Sequence, residues 1–120
     1  MPNTDVYFYA DTGGSSPVVE WFDTIPEDAV DKLYLRIQQL EQFGYQLRRP
    51  HCDFLRDGIY ELRVKVQQVH YRLLYFFHEG GAVIAHGCTK EGEVDDADID
   101  RALSRKERYV NNPTTHTYGE

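Results

Sequence analysis

An α+β fold is predicted by three features of the sequence. Residues 59–90 alternate apolar and polar side chains through three successive stretches. Residues 26–44 repeat apolar side chains at helical spacing. Residues 95–110 begin on candidate caps and carry their cations late, as a helix does. The predicted order is an N-terminal strand, a helical hairpin, a three-stranded antiparallel meander and a C-terminal helix.

Asp5 to Ala10 (DVYFYA) reads as a short aromatic strand paired with the meander. Gly13-Gly14 marks a turn, and Ser16-Pro17 supplies an N-cap and a first helical residue. The helix predicted from Pro17 to about Thr24 turns Val18, Trp21 and Phe22 inward. Pro26 opens a second helix with Glu27 and Asp28 in its first turn, where the helix dipole favours acids. Leu33, Ile37 and Leu40 form its apolar stripe, with Ala29, Val30 and Phe43 alongside, and Gly44 is its stop.

Tyr45 to Phe54 reads as a connector. Its Arg48-Arg49 pair either serves solubility or contacts phosphate. His51-Cys52-Asp53 offers three donor types, but neighbours in sequence rarely converge on one ion and no second cluster completes a set, so no metal is expected.

In the meander, Ile59 to Val66 places Tyr60, Leu62, Val64 and Val66 on one face and Glu61, Arg63 and Lys65 on the other. The second strand runs from about Val69 to His78 and the third from about Ala82 to Lys90, with Glu79-Gly80-Gly81 as a tight link. The Gln67-Gln68 link lacks glycine and leaves its turn type open. Strand parity gathers Glu61, Arg63, Lys65, His70, Arg72, His86 and Lys90 on the polar face. Such a face is either the wet side of an antiparallel sheet or an anion site suited to nucleic-acid phosphate.

After Lys90, Asp95 or Asp96 caps a helix that runs to about Tyr109 or Val110, with Ile99, Ala102 and Leu103 inward. Residues 1–110 form one domain, and the turn-rich polar residues 111–120 read as a disordered tail.

Net charge is −7, which argues against a general nucleic-acid binder. The distribution is uneven: residues 1–47 carry −6, residues 48–90 carry +3 and residues 91–120 carry −4. A basic face can act within a Debye length of about 8 Å, but long-range steering toward RNA is weak. No apolar run is long enough for a membrane helix and no signal peptide is visible, so a cytoplasmic protein with Cys52 and Cys88 as free thiols is expected.

The run Leu55-x-Asp57-Gly58-Ile59-Tyr60-Glu61-Leu62-Arg63, then Tyr71-Arg72-Leu73-Leu74-Tyr75-Phe76-Phe77, then His86-Gly87 and Lys90, resembles the HigB-like, phage-derived host-inhibition branch of the RelE/ParE toxin superfamily. The resemblance spans roughly residues 16–109. It departs after the third strand, where Glu91 stands in place of a second lysine and an acidic run follows through Asp100. An acidic segment beside a phosphate site opposes RNA binding.

The resemblance implies the toxin of a type II toxin–antitoxin system, cleaving mRNA on the ribosome without metal or cofactor. In that chemistry the 2′-hydroxyl attacks the adjacent phosphate, leaving a cyclic phosphate and a free 5′-hydroxyl. It implies Arg72 as the residue that stabilises transition-state charge, Arg63 as clamp, and Lys90 and His86 as further catalytic candidates. Arg48, Arg49, Lys65 and His70 are the RNA-binding candidates, and Glu61 supports the arginines as an ion-pair partner. The implied partners are a helix-turn-helix antitoxin and ribosome-bound mRNA, with no membrane; homo-oligomerisation is left open. Two alternatives stand: a binding-only toxin acting on a protein such as gyrase, and a degenerate, non-toxic family member.

Overall fold

The computed structural model describes residues 3–47 and 51–119. Its elements follow the predicted order, with a further strand ahead of the meander, a short 3-10 turn at Gly44–Gln46 and a short helix after the last predicted one. Strand β1 is Val6–Phe8; helices α1 (Pro17–Phe22) and α2 (Glu27–Phe43) form the hairpin; β2 is Cys52–Arg56; β3 (Ile59–Val66), β4 (Val69–His78) and β5 (Gly81–Thr89) form the meander; α3 is Asp96–Asn111 and α4 is Pro113–His116. The five strands lie in the order β1-β5-β4-β3-β2. β1 runs parallel to β5 and the other pairs are antiparallel.

Local chemistry sets the ends. The Ser16 side chain accepts from the Val19 amide ahead of Pro17, and the Asp95 side chain accepts from the Asp98 amide at the start of α3. Gly44 ends α2 at φ +53°. Three hairpin links, Asp57-Gly58, Gln67-Gln68 and Glu79-Gly80, each hold both central residues at positive φ, as a type I′ turn requires. The Gln67-Gln68 turn does so with two side chains that disfavour that region.

β2 corrects the reading of residues 45–54 as a connector. It pairs Cys52 with Leu62 and Phe54 with Tyr60, with an irregularity before Arg56. Its hydrophobic pattern is weak, and the sheet supplies what its own sequence does not.

The polar face of the meander is only partly wet, which corrects the picture of a solvated outer face. One face carries Leu62, Val64, Val66, Tyr71, Leu73, Tyr75 and Ile84 into a core with Val18, Leu33, Ile37 and Leu40 of the helical hairpin. The other buries Ile59, Leu74, Phe76, Val83 and Cys88 against Ile99, Ala102 and Tyr109 of α3. A bulge in β5 opposite Leu74 and Tyr75 sends Ile84 to the first face and His86 to the second. Trp21 packs so closely on Gly87 that a Cβ there would meet the indole ring. Cys52 and Cys88 are not disulfide-bonded; they are buried in cores on opposite faces of the sheet, and Cys52 Sγ lies 2.8 Å from the Tyr75 hydroxyl.

The residues read as a disordered tail are instead ordered as far as Gly119. Asn112 caps α4, the buried His116 donates from Nδ1 to the Ala10 carbonyl at 2.7 Å and stacks on Tyr9, and Thr117 bridges to Tyr9. This segment covers the outer side of the β1 edge, and tertiary pairing orders what polar composition alone would leave free. Among the described residues no helix is long and apolar enough to cross a membrane.

Candidate nucleic-acid interface

β3 outruns its neighbour. The last ladder pair of β2 is Cys52 with Leu62, and the Arg63 amide then donates to the His51 carbonyl at 3.0 Å. Beyond that point an open cleft of about 400 Å³ lies beside β3. Besides Val64, it is lined by Arg36 of α2, His51, Arg63 and Lys65 of β3, and His70 and Arg72 of β4. No carboxylate lines it among the described residues.

The register explains how four of these meet. Arg63 pairs with Arg72 and Lys65 with His70 across β3 and β4, so their side chains share a face. Like charges facing one another are unfavourable, and Glu61 relieves this from beneath. Its carboxylate is buried, takes both oxygens to Arg72 Nη1 at 2.9 and 3.1 Å, and lies 3.3 Å from Arg63 Nε. Arg72 also donates to the Gly92 carbonyl at 2.6 Å. Only 9% of its side chain is exposed, against 30% for Arg63. Arg63 and Lys65 therefore present more charge to an incoming anion than Arg72 does.

Arg36 reaches the cleft by donating from Nε to the Arg63 carbonyl at 3.1 Å. His51 lies on the other flank of Arg63. Partial burial, and then the Arg36 charge, push its pKa below the ordinary histidine value, which favours the neutral ring.

Two of the residues expected at the site lie apart from the cleft. Lys90 stays on the same face, its amide donating to the His70 carbonyl, but its ammonium sits 3.0 Å from Asp95 and 3.1 Å from Asp98. His86 is buried, with Nε2 2.7 Å from Asp98 and Nδ1 3.3 Å from Arg105. Because guanidinium only donates, Nδ1 accepts and the ring proton of neutral His86 is on Nε2, directed at Asp98. Desolvation lowers the His86 pKa against the opposing pull of Asp98. Arg48 and Arg49 lie outside the described residues.

His86, Cys88 and Asp98 bring potential ligand atoms within 4.8 Å of one another. Their donors are otherwise engaged: burial pushes the Cys88 thiol up to about 12, Lys90 holds Asp98, and His86 Nε2 carries the proton it shares with Asp98.

Sequence reasoning missed Arg36 and the placing of His51 beside the cleft. Arg36 flanks the Leu33–Ile37–Leu40 stripe, and a cation beside a buried stripe is a usable signal. His51 was noticed only as a potential ligand. The Asp57-Gly58 pair marks a hairpin and could have brought it opposite β3, but counting back from that turn sets it against Val64; the irregularity at Leu55 moves it to Arg63.

A strand, a helical hairpin, an antiparallel meander and a C-terminal helix, with a basic cleft beside the meander, define a RelE-like α+β protein. Residues 20–107 match the phage-derived Gp49-like family (DUF891), and the chain belongs to this RelE/toxin-like family. No curated protein matches the chain.

Proposed function

We propose that the chain is the HigB-like toxin of a type II toxin–antitoxin pair and acts as a metal-independent endoribonuclease on ribosome-bound mRNA. The observation that carries this reading is the cleft beside β3, whose lining holds four cations and two histidines and no carboxylate among the described residues. Guanidinium groups match phosphate oxygens in a planar fork, and Arg36, Arg63 and Lys65 are placed to hold the backbone on either side of a scissile phosphate. Arg72 supports Arg63 through the shared Glu61 carboxylate. A helix-turn-helix antitoxin is the proposed partner, and the family match supports it only at the level of a toxin-like protein.

The binding-only reading draws on a separate observation. Lys90, Arg72 and Arg56 are each engaged with carboxylates, and Glu93 and Asp96 line a second cleft that shares Arg63 and Arg72 with the first. Induced expression without the antitoxin, with mapping of mRNA 5′ ends, separates the two. New 5′ ends under growth arrest support the nuclease; arrest with intact message supports binding alone; normal growth overturns the toxin reading.

A further inference from the structure

We propose that His51 and His70 are the proton-transfer pair of the cleft, a deepening that rests on the nuclease reading above. They are the two imidazoles of the lining among the described residues, and imidazole is the side chain type that both takes and gives a proton at neutral pH. The other candidates are otherwise occupied: Glu61 is buried between two guanidinium groups and His86 is closed off between Asp98 and Arg105. No aspartate, glutamate, tyrosine or cysteine lines the cleft among the described residues.

The strand geometry sets the two histidines on opposite flanks of β3. The His51 carbonyl accepts from the Arg63 amide on the β2 side, whereas His70 pairs with Lys65 on the β4 side. Their backbones are thus two strand spacings apart across the sheet, about 10 Å, and two residues apart along it, about 7 Å, or about 12 Å in all. In-line displacement at phosphorus needs a base and an acid on opposite sides of the phosphate, and that separation leaves room for a phosphate between the two rings. The cations facing the pair are Arg36 from α2, Arg63 and Lys65 from β3, and Arg72 from β4.

The step balances without a co-reactant. Neutral His51 takes the proton of the 2′-hydroxyl as O2′ bonds to phosphorus. The bond from phosphorus to O5′ breaks, and the departing O5′ receives the proton of the His70 imidazolium. The products are a 2′,3′-cyclic phosphate and a 5′-hydroxyl end, and the histidines exchange protons with solvent to reset. The lowered pKa of His51 suits the base.

The test uses the purified chain with programmed ribosomes carrying a defined mRNA, and compares His51→Asn, His70→Asn and Arg63→Ala. Loss of either histidine should slow cleavage by roughly 10²–10⁴, with ribosome binding and thermal melting unchanged. Arg63→Ala should weaken binding. In the pH profile, His51→Asn should remove the acid limb and His70→Asn the alkaline limb. An mRNA with a bridging 5′-sulfur at the cut site, whose leaving thiolate needs no proton, should restore cleavage to His70→Asn and not to His51→Asn. Wild-type rates in both histidine variants overturn the pair and leave the nuclease intact. Equal thio-rescue of both, or of neither, overturns the assigned roles. Absence of cleavage by the wild-type chain overturns the nuclease reading and the pair with it.

Discussion

Two groups of cations lie around the same sheet and meet opposite fates. At the β3 edge, Arg36, Arg63 and Lys65 border an open cleft free of carboxylates among the described residues. Toward α3, Lys90 is held by Asp95 and Asp98, Arg72 by Glu61 and Gly92, and Arg56 by Asp57, Asp96 and Asp100. Side chains of one type thus divide into those that border an open cleft and those that hold α3 and its preceding loop to the sheet. Strand parity says which face a residue takes. It does not say whether a carboxylate from a distant helix arrives to neutralise it.

The sharpest way to break this contrast is Glu61→Ala. It leaves the Arg72 guanidinium buried without its counter-ion, a change that typically costs about 3–5 kcal/mol. Urea unfolding measures it, and a loss under about 1 kcal/mol would mean that Arg72 is free to serve the cleft.

A second comparison sets Arg72→Ala against Arg63→Ala. Arg72→Ala should lose more stability, and with Glu61→Ala its coupling should fall within roughly 0.5–3 kcal/mol. Arg63→Ala should lose more RNA affinity, since its side chain is the more exposed. Equilibrium unfolding and RNA titration of the same variants decide it. The reverse ranking in both would exchange their roles.

Lys65 is exposed, so Lys65→Ala should change stability by no more than about 0.5 kcal/mol. It should lower RNA affinity evenly across sequences and reduce the slope of affinity against salt by about one. A slope equal to that of the wild type would remove Lys65 from the phosphate contacts.

The smallest effect concerns the α3 side. The Lys90 ammonium, and then the Asp98 amide, hold the Asp95 carboxyl down to about 2, against an ordinary 3.8. A depressed carboxyl contributes stability that is present above its unfolded pKa and lost as pH falls through its folded one. Asp95→Asn keeps a cap for α3 and removes the charge. Its melting temperature should therefore fall less steeply than the wild type's between about pH 4 and pH 2. Parallel curves would show that the Lys90 pair adds nothing in solution.

Much of the fold was legible because it is local. The alternation of β3, the Ser16 and Asp95 caps, the Gly44 stop and the Glu79-Gly80-Gly81 link each depend on a few neighbouring residues, although in that link the positive φ falls on Glu79 and Gly80 rather than on the Gly-Gly pair. The side-chain alternation also placed Arg63, Lys65, His70 and Arg72 on one face, where the ladder pairs them. β2 was missed although Asp57-Gly58 announces a hairpin, because CDFLR has little alternation of its own and pairs only where β3 offers an edge.

By itself, then, the sequence determined the elements other than β2 and α4, the strand parity and the basic character of the meander, since backbone periodicity and turn chemistry act over a few residues. The tertiary structure decided which cations remain available. Glu61 and Arg72 are 11 residues apart, Arg36 and Arg63 are 27 apart, and Arg56 and Asp100 are 44 apart. It also brought His51 and Arg36 to the cleft, sent His86 under α3 and ordered the C-terminal residues along β1. Burial and ion pairing depend on which elements meet across the sheet, and no local pattern records that.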